Sequence, residues 1–133
     1  MKRTALALLL SATVGCASIR MTRDYNGVKV DGGYSPLATV SIENTGWFLF
    51  NVIPIASGDT ENPNQNSWHF FRNTVSLGNN MKMLDATMKR LDASHIAHLT
   101  SRTKDDFYYF FLLYRRTCLT SAVILRPDGK QEN

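Results

Sequence analysis

Residues 77–91, LGNNMKMLDATMKRL, decide the fold class of this chain. Their large apolar side chains recur at intervals of four and three residues: Leu77, Met81, Leu84, Met88 and Leu91. This spacing predicts a helix with one apolar stripe. The stripe lasts only two heptads, which is too short for a coiled coil. We therefore expect the helix to pack on a sheet.

The segments on either side of the helix have the patterns of strands. Residues 38–43 alternate apolar and polar side chains, and residues 47–55 are almost wholly apolar, with a break at Asn44-Thr45-Gly46 between them. After the helix, we expect strands from about His95, over residues 107–114 and over residues 117–125. The predicted fold is α+β, with a single small antiparallel-rich sheet of about five strands in the order β-β-α-β-β-β. One amphipathic helix packs on one face.

The apolar runs 47–55 and 107–114 are long enough to be apolar on both faces of a strand. One helix covers only one face, so the other face is expected to expose aromatic side chains, and exposed apolar patches mark interfaces. The candidate interface residues are Trp47, Phe48, Phe50, Tyr108, Phe110 and Tyr114. Two alternatives stay open at this point. The loop 57–72 and the N-terminal segment fold back as a cover, or a small apolar ligand lies between the sheet and loop 57–72.

The first sixteen residues have the pattern of a secretory signal. Basic residues Lys2 and Arg3 precede a short apolar run over residues 5–10, and Thr13-Val14-Gly15 leads to Cys16. The apolar run is too short to cross a bilayer, which takes about 20 residues.

This segment resembles a bacterial lipoprotein signal that ends at Cys16. The resemblance implies that Cys16 becomes the new N-terminus and carries the acyl chains. Ala17 follows, where aspartate would signal retention in the inner membrane, so the outer membrane, facing the periplasm, is the expected location. The predicted organisation is a signal peptide over residues 1–15 and a lipid-anchored tether over residues 16–37. An α+β domain over residues 38–126 and a polar tail over residues 127–133 follow.

Composition excludes several function classes. The net charge of +4 includes Lys2 and Arg3, which leave with the signal, and the other basic residues are scattered among acidic ones. Nucleic-acid binding needs a clustered basic face, so no nucleic-acid partner is predicted. With Cys16 acylated, Cys118 has no partner for a disulfide. Its apolar neighbours favour a buried, inert thiol.

No motif in the sequence indicates catalysis or a cofactor. His95 and His98 are three residues apart, which on a strand places them on opposite faces, so a shared metal ion is not expected. We expect one packed and one solvated histidine. Asp105 and Asp106 are adjacent, which suits a turn. The protein is therefore predicted to be no enzyme, with no cofactor and no metal site.

Residues 38–125 also resemble a known family. Ala93-Ser94 forms a short turn after the helix, and Thr100-Ser101-Arg102 ends the next strand before an apolar hairpin. This arrangement resembles the TRL-like small lipoproteins and, more distantly, small βαββ domains described as heavy-metal-binding, whose metal ligands have no match here. The resemblance implies a compact domain that self-associates. The expected function is a non-catalytic binding or structural role at the bacterial envelope. The expected partners are the membrane, through the lipid, and a second copy or another envelope protein.

Overall fold

A computed structural model describes residues 16–23, 30, 32–109 and 112–128. Within these residues six strands form one antiparallel sheet, and one helix packs on it. The elements are β1 (Ala17–Thr22), β2 (Tyr34–Leu49), β3 (Ile53–Gly58), β4 (Trp68–Phe70), α1 (Leu77–Arg90), β5 (His95–Tyr108) and β6 (Leu113–Pro127). The strand order is β4-β3-β2-β6-β5, and β1 also pairs with β2. An antiparallel α+β fold with one helix is thus confirmed.

Strand β2 runs through the triplet where a break was expected. Asn44 is fully buried and donates from Nδ2 to the Thr74 carbonyl (2.6 Å), and the Thr45 and Thr117 hydroxyls lie 3.2 Å apart. Gly46 lacks a side chain where a Cβ would lie 2.7 Å from Cγ2 of Val75. Asn44 bonds to the segment around Thr74 and Val75 that packs over the strand, and Gly46 leaves room for it. The triplet therefore continues β2 as a strand. The chain turns later, at Phe50–Val52, and the order of elements is β-β-β-β-α-β-β.

Strand β1 occupies part of the segment expected to be a tether. Ala17 pairs with Asn44 and Thr22 pairs with Thr39, so β1 is a regular antiparallel neighbour of β2. Strand β2 itself begins at Tyr34, inside the same segment. The expectation of a tether over residues 16–37 is therefore corrected, because backbone pairing fixes Ala17–Thr22 in the sheet. Residues 1–15, the expected signal peptide, lie outside the described residues.

Helix α1 is N-capped by Ser76, whose Oγ accepts from the backbone N of Asn79 (3.2 Å). Its buried residues are Asn80, Met83, Leu84 and Thr87. Met83 and Leu84 join a core cluster with side chains of the first, second and sixth strands: Ala17, Val40, Ile42, Ala122 and Ile124. Leu84 of the predicted stripe is buried and Met81, Met88 and Leu91 pack against the same core, but Leu77 is exposed and the buried face is rotated toward Asn80. The cause is that Asn80 enters the core and donates to the Cys118 carbonyl and the Thr120 hydroxyl.

The helix is much shorter than the strands beneath it. A 14-residue helix is about 21 Å long at about 1.5 Å per residue. The 16 residues of β2 span about 50 Å at about 3.3 Å per residue. The helix contacts the β2 and β6 segments around Val40, Ile42, Ala122 and Ile124. The part of the sheet near the β2–β3 and β5–β6 turns therefore extends beyond the helix.

The face of the sheet opposite the helix is polar. A shallow groove of about 330 Å³ on this face is lined mostly by charged and hydroxyl side chains: Glu43, Arg102, Lys104, Asp106, Arg115, Thr117 and Leu119. Lys104 Nζ and Asp106 Oδ1 pair across it at 2.7 Å. The expectation that this whole face exposes aromatic side chains is corrected, because only its end near the turns carries one, the exposed Tyr108, among the residues described. Strand alternation places the polar residues of β5 and β6 here.

Candidate functional site

Two of the candidate interface residues are buried. Trp47 is 6% exposed and Phe48 is 1% exposed. The ring of Tyr108 lies against Trp47 on the polar face, with the ring centroids 5.3 Å apart. Phe48 packs with Val75 and Cys118 on the helix side of the sheet. Both residues therefore belong to the packed interior, because Tyr108 covers Trp47 on one face of β2 and Val75 covers Phe48 on the other.

The other candidates divide between surface and interior. Phe50 and Tyr108 are exposed, whereas Tyr114 is partly buried and packs against the Phe48 cluster. Phe110 lies outside the described residues. The sequence patterns did not separate the packed aromatic residues from the exposed ones.

The exposed apolar residues gather at one end of the sheet. Two hairpin turns lie side by side there, since the backbone N of Phe50 donates to the Leu112 carbonyl at 2.8 Å. We call the exposed apolar side chains of these turns the apolar tip: Phe50 (56% exposed), Val52 (77%), Ile53 (50%), Tyr109 (72%) and Leu112 (47%). The tip is convex, because it consists of the ends of two adjacent hairpins.

The aromatic surface continues from the apolar tip onto β4. Phe70 pairs with Ala56, and the backbone N of Phe71 donates to the Ile55 carbonyl at 3.2 Å. Phe70 and Phe71 are both exposed, and the Phe70 ring lies 5.4 Å from the Trp68 ring. Phe107 on β5 is exposed as well. The apolar tip therefore has aromatic side chains on both flanks.

An ion pair lies directly behind the apolar tip. Arg116 donates from Nε and Nη2 to the two carboxylate oxygens of Asp105 at 2.8 and 3.1 Å, and from Nη2 to Asn51 Oδ1 at 2.8 Å. Its guanidinium also lies 4.8 Å from the centre of the Phe48 ring. The hydrogen bond from Arg116 lowers the pKa of Asp105, and the same bond raises the pKa of Arg116. Both groups stay charged and neutralise each other, so the turn at Asn51 is fixed to β5 and β6.

Cys16 immediately precedes β1 and is exposed. Its carbonyl accepts a hydrogen bond from the backbone N of Thr45 at 2.8 Å, and Ala17 is buried in the core. Because β1 is antiparallel to β2, it runs away from the apolar tip, and Cys16 lies at its tip-proximal end. Cys118, in contrast, is buried, in agreement with the sequence analysis.

The histidines lie apart from the tip. A bulge between Ala97 and Thr100 breaks the alternation on which the prediction for His95 and His98 depended, and both residues are exposed. His95 contacts Tyr34, with 3.1 Å between Nε2 and the phenol oxygen. His69 Nε2 lies 3.4 Å from Asp59 Oδ1. Among the described residues, no three His, Cys, Asp or Glu side chains lie close enough to hold a metal ion.

Loop 57–72 is organised around Asp59, which the sequence analysis did not identify. The buried carboxylate accepts from the backbone N atoms of Glu61 and Asn62, from Asn62 Nδ2 and from Ser67 Oγ, at 2.9–3.1 Å. These hydrogen bonds, first of all the one from the Asn62 side chain, hold the pKa of Asp59 far below its ordinary value although burial opposes this. The sequence signal was an Asp three residues before an Asn in a turn-rich segment.

The cleft between this loop and α1 is lined by both apolar and charged side chains. It has a volume of about 260 Å³, and its lining includes Glu61, Arg72 and Lys82 beside Ile19 and Met83. Charged groups at the mouth suit a small apolar ligand poorly, because an enclosed apolar site would have to desolvate them. The cleft therefore gives little support to the apolar-ligand alternative.

We expect the substitution Asp59→Asn to lower the free energy of unfolding at neutral pH by about 1–3 kcal/mol, because it removes the charged acceptor at the centre of four hydrogen bonds. A carboxylate with a lowered pKa stabilises the fold above its ordinary pKa, and this contribution is lost as pH falls below about 4. The difference between parent and variant in urea unfolding should therefore shrink as the pH falls from about 5 to about 2. The control is Asp85→Asn, which breaks the exposed pair with Lys89. It should cost under about 0.5 kcal/mol. A pH-independent difference for Asp59→Asn would contradict this role.

No protein-family model matches the chain, and no curated protein or solved structure matches it significantly. In the part of the chain that the structure describes, no helix has the length and hydrophobicity that a membrane crossing requires.

Proposed function

We propose that this protein is a lipid-anchored lipoprotein of the bacterial envelope, with a non-catalytic binding or structural role. The lipid is attached at Cys16, and binding is through the exposed aromatic and aliphatic side chains at one end of the sheet. The observation that carries the proposal is the apolar tip, in which five large apolar side chains from two adjacent turns are exposed together. Exposed apolar groups in such number at one place mark an interaction surface.

The surroundings of Cys16 support the anchoring part of this proposal. Cys16 is exposed, so its sulfur is accessible for a thioether, and the next residue, Ala17, is already held in the core. A lipid at this position would hold the folded body close to the bilayer, because the sheet begins one residue after the anchor. Two or three acyl chains give durable attachment, since each buried methylene contributes about 0.8 kcal/mol. The outer membrane, facing the periplasm, is the proposed location, on the basis of Ala17 after the cysteine.

The test of the anchor is the substitution Cys16→Ser in the full chain, followed by separation of membrane and soluble fractions. The variant should leave the detergent-extractable membrane fraction almost completely, because no acyl chain can be attached. The matched control is Cys118→Ala, which removes the buried thiol and leaves Cys16 in place, and this variant should stay with the membrane. An unchanged distribution of Cys16→Ser would contradict lipid anchoring at this residue.

A further inference from the structure

We propose that the apolar tip inserts into the interfacial layer of the lipid bilayer, as a second membrane contact beside the lipid anchor. This inference rests on the proposed function and names the partner of its binding surface. The occupant is lipid rather than a second protein. The distribution of charge and the position of Cys16 support this choice, and the backbone strain in the turns supports a surface role for the aromatic residues.

The backbone strain shows that the aromatic residues are not the residues that these turns favour. Phe50 has φ 51°, Asn51 has φ 60°, Phe71 has φ 55° and Tyr109 has φ 51°. Glycine or asparagine is the usual residue in this left-handed region, and a bulky side chain there is sterically unfavourable. Only Asn51 follows that preference. The aromatic side chains at the three strained positions are more than half exposed, so packing stabilises them little and a role at the surface accounts for them.

The charge distribution suits a bilayer. None of the described residues in 47–58 and 107–114 is charged. The nearest charged groups on β5 and β6 directly adjoin the uncharged range 107–114: Asp105, Asp106, Arg115 and Arg116. Arg116 is neutralised by Asp105. Apolar and aromatic side chains at the end with charged groups behind them match the layers of a bilayer, in which Tyr and Trp lie at the headgroup level. A protein–protein interface has a polar rim that surrounds its apolar core, whereas the charged groups of β5 and β6 lie behind the apolar tip.

The position of Cys16 brings the same end of the molecule to the membrane. Cys16 lies beside Thr45, and Phe50, just past the end of β2, is five residues further along the chain. The two positions are therefore about 16 Å apart at about 3.3 Å per residue. An interfacial segment enters the headgroup region by about 5–10 Å. When the tip has entered by that depth, about 6–11 Å of the distance between Phe50 and Cys16 remains outside. This is comparable with the thickness of the headgroup layer, about 5–7 Å on each side. The acyl chains of Cys16 and the apolar tip can therefore enter one leaflet together, because β1 runs away from the tip and no spacer separates the anchor from the sheet.

The test uses the membrane-extracted, full-length product reconstituted in vesicles of phosphatidylethanolamine and phosphatidylglycerol. Val52→Cys and Leu99→Cys each receive a polarity-sensitive fluorophore on the new thiol. Val52 lies in the tip, whereas Leu99 is also exposed but lies near the other end of β5, about 30 Å away at about 3.3 Å per residue. Acylated Cys16 has no thiol, and Cys118 is buried, so the parent chain should take up almost no label. Nitroxide-bearing lipids then report contact with the acyl region.

We expect the label at position 52 to gain several-fold in emission on reconstitution and to be quenched strongly by the nitroxide lipids, while the label at position 99 is unaffected. An unquenched label at position 52 would overturn the proposal, and so would equal quenching at both positions, which means that the molecule lies flat. Emission that rises without quenching and coincides with a dimer on sizing would assign the tip to a second copy instead. Absence of the lipid at Cys16 would be detected separately, because a parent chain with a free thiol at Cys16 would itself take up the fluorophore.

Discussion

Leu84→Ala is expected to lower the free energy of unfolding by about 3–4 kcal/mol, the largest stability loss that we predict for an apolar side chain. Leu84 is 1% exposed and lies in the core cluster between α1 and the sheet. Leu84 packs closely with Met83 and Ile42 in this cluster, so its truncation leaves a cavity in the core. Urea unfolding followed by tryptophan fluorescence measures the loss, with parent and variant in the same mild detergent.

The matched control is Leu77→Ala on the same helix. Leu77 belongs to the same apolar stripe in the sequence, but it is 49% exposed. Its truncation should cost well under 1 kcal/mol, in the range of ordinary surface substitutions. Equal losses for the two variants would show that the helix packs with the sequence stripe toward the sheet, and the arrangement described above would be wrong.

Gly58→Ala is expected to destabilise the sheet by about 3 kcal/mol, at the upper end of the range for overpacking. A Cβ at Gly58 would overlap the backbone N of Ala17 and the carbonyl carbon of Cys16. These are backbone atoms, so β1 or β3 must move, and the hydrogen bond between the Cys16 carbonyl and the Thr45 N–H is lost. We expect hydrogen exchange at the Thr45 amide to accelerate together with the loss of stability.

The control for this substitution is Gly78→Ala in the first turn of α1. A Cβ there would meet only Ser76 Oγ, at 3.9 Å, which is an ordinary contact. Alanine favours the helical conformation over glycine by up to about 1 kcal/mol, so this variant should be slightly stabilised. A stable Gly58→Ala variant with a protected Thr45 amide would contradict the close packing of the Cys16 and Ala17 backbone against β3.

The sequence predicted the elements whose periodicity is complete. Residues 38–43 alternate apolar and polar side chains, and the corresponding part of β2 alternates in burial. The helix was predicted because its apolar spacing is unambiguous. β1 was missed although Ala17, Ile19 and Met21 alternate with polar residues, because the turn signals that follow it favoured an irregular tether.

The rest depended on contacts between distant parts of the chain. Asn44 and Gly46 have the composition of a turn, but their burial beneath the segment 72–76 makes them the middle of a strand. The exposed aromatic residues were expected over a whole face of the sheet. They lie at one end instead, because the relative lengths of helix and strand, and the position of the helix along β2, determine which part stays uncovered. No local pattern encodes that position.

The central claim is that Cys16 carries a lipid beside the apolar tip, and the mass of the N-terminal peptide of the membrane-extracted protein tests it most directly. We predict a peptide that begins at Cys16 and carries the added mass of a diacylglyceryl group, with or without a further acyl chain. A peptide that continues from residue 15 into an unmodified Cys16 thiol would contradict the claim.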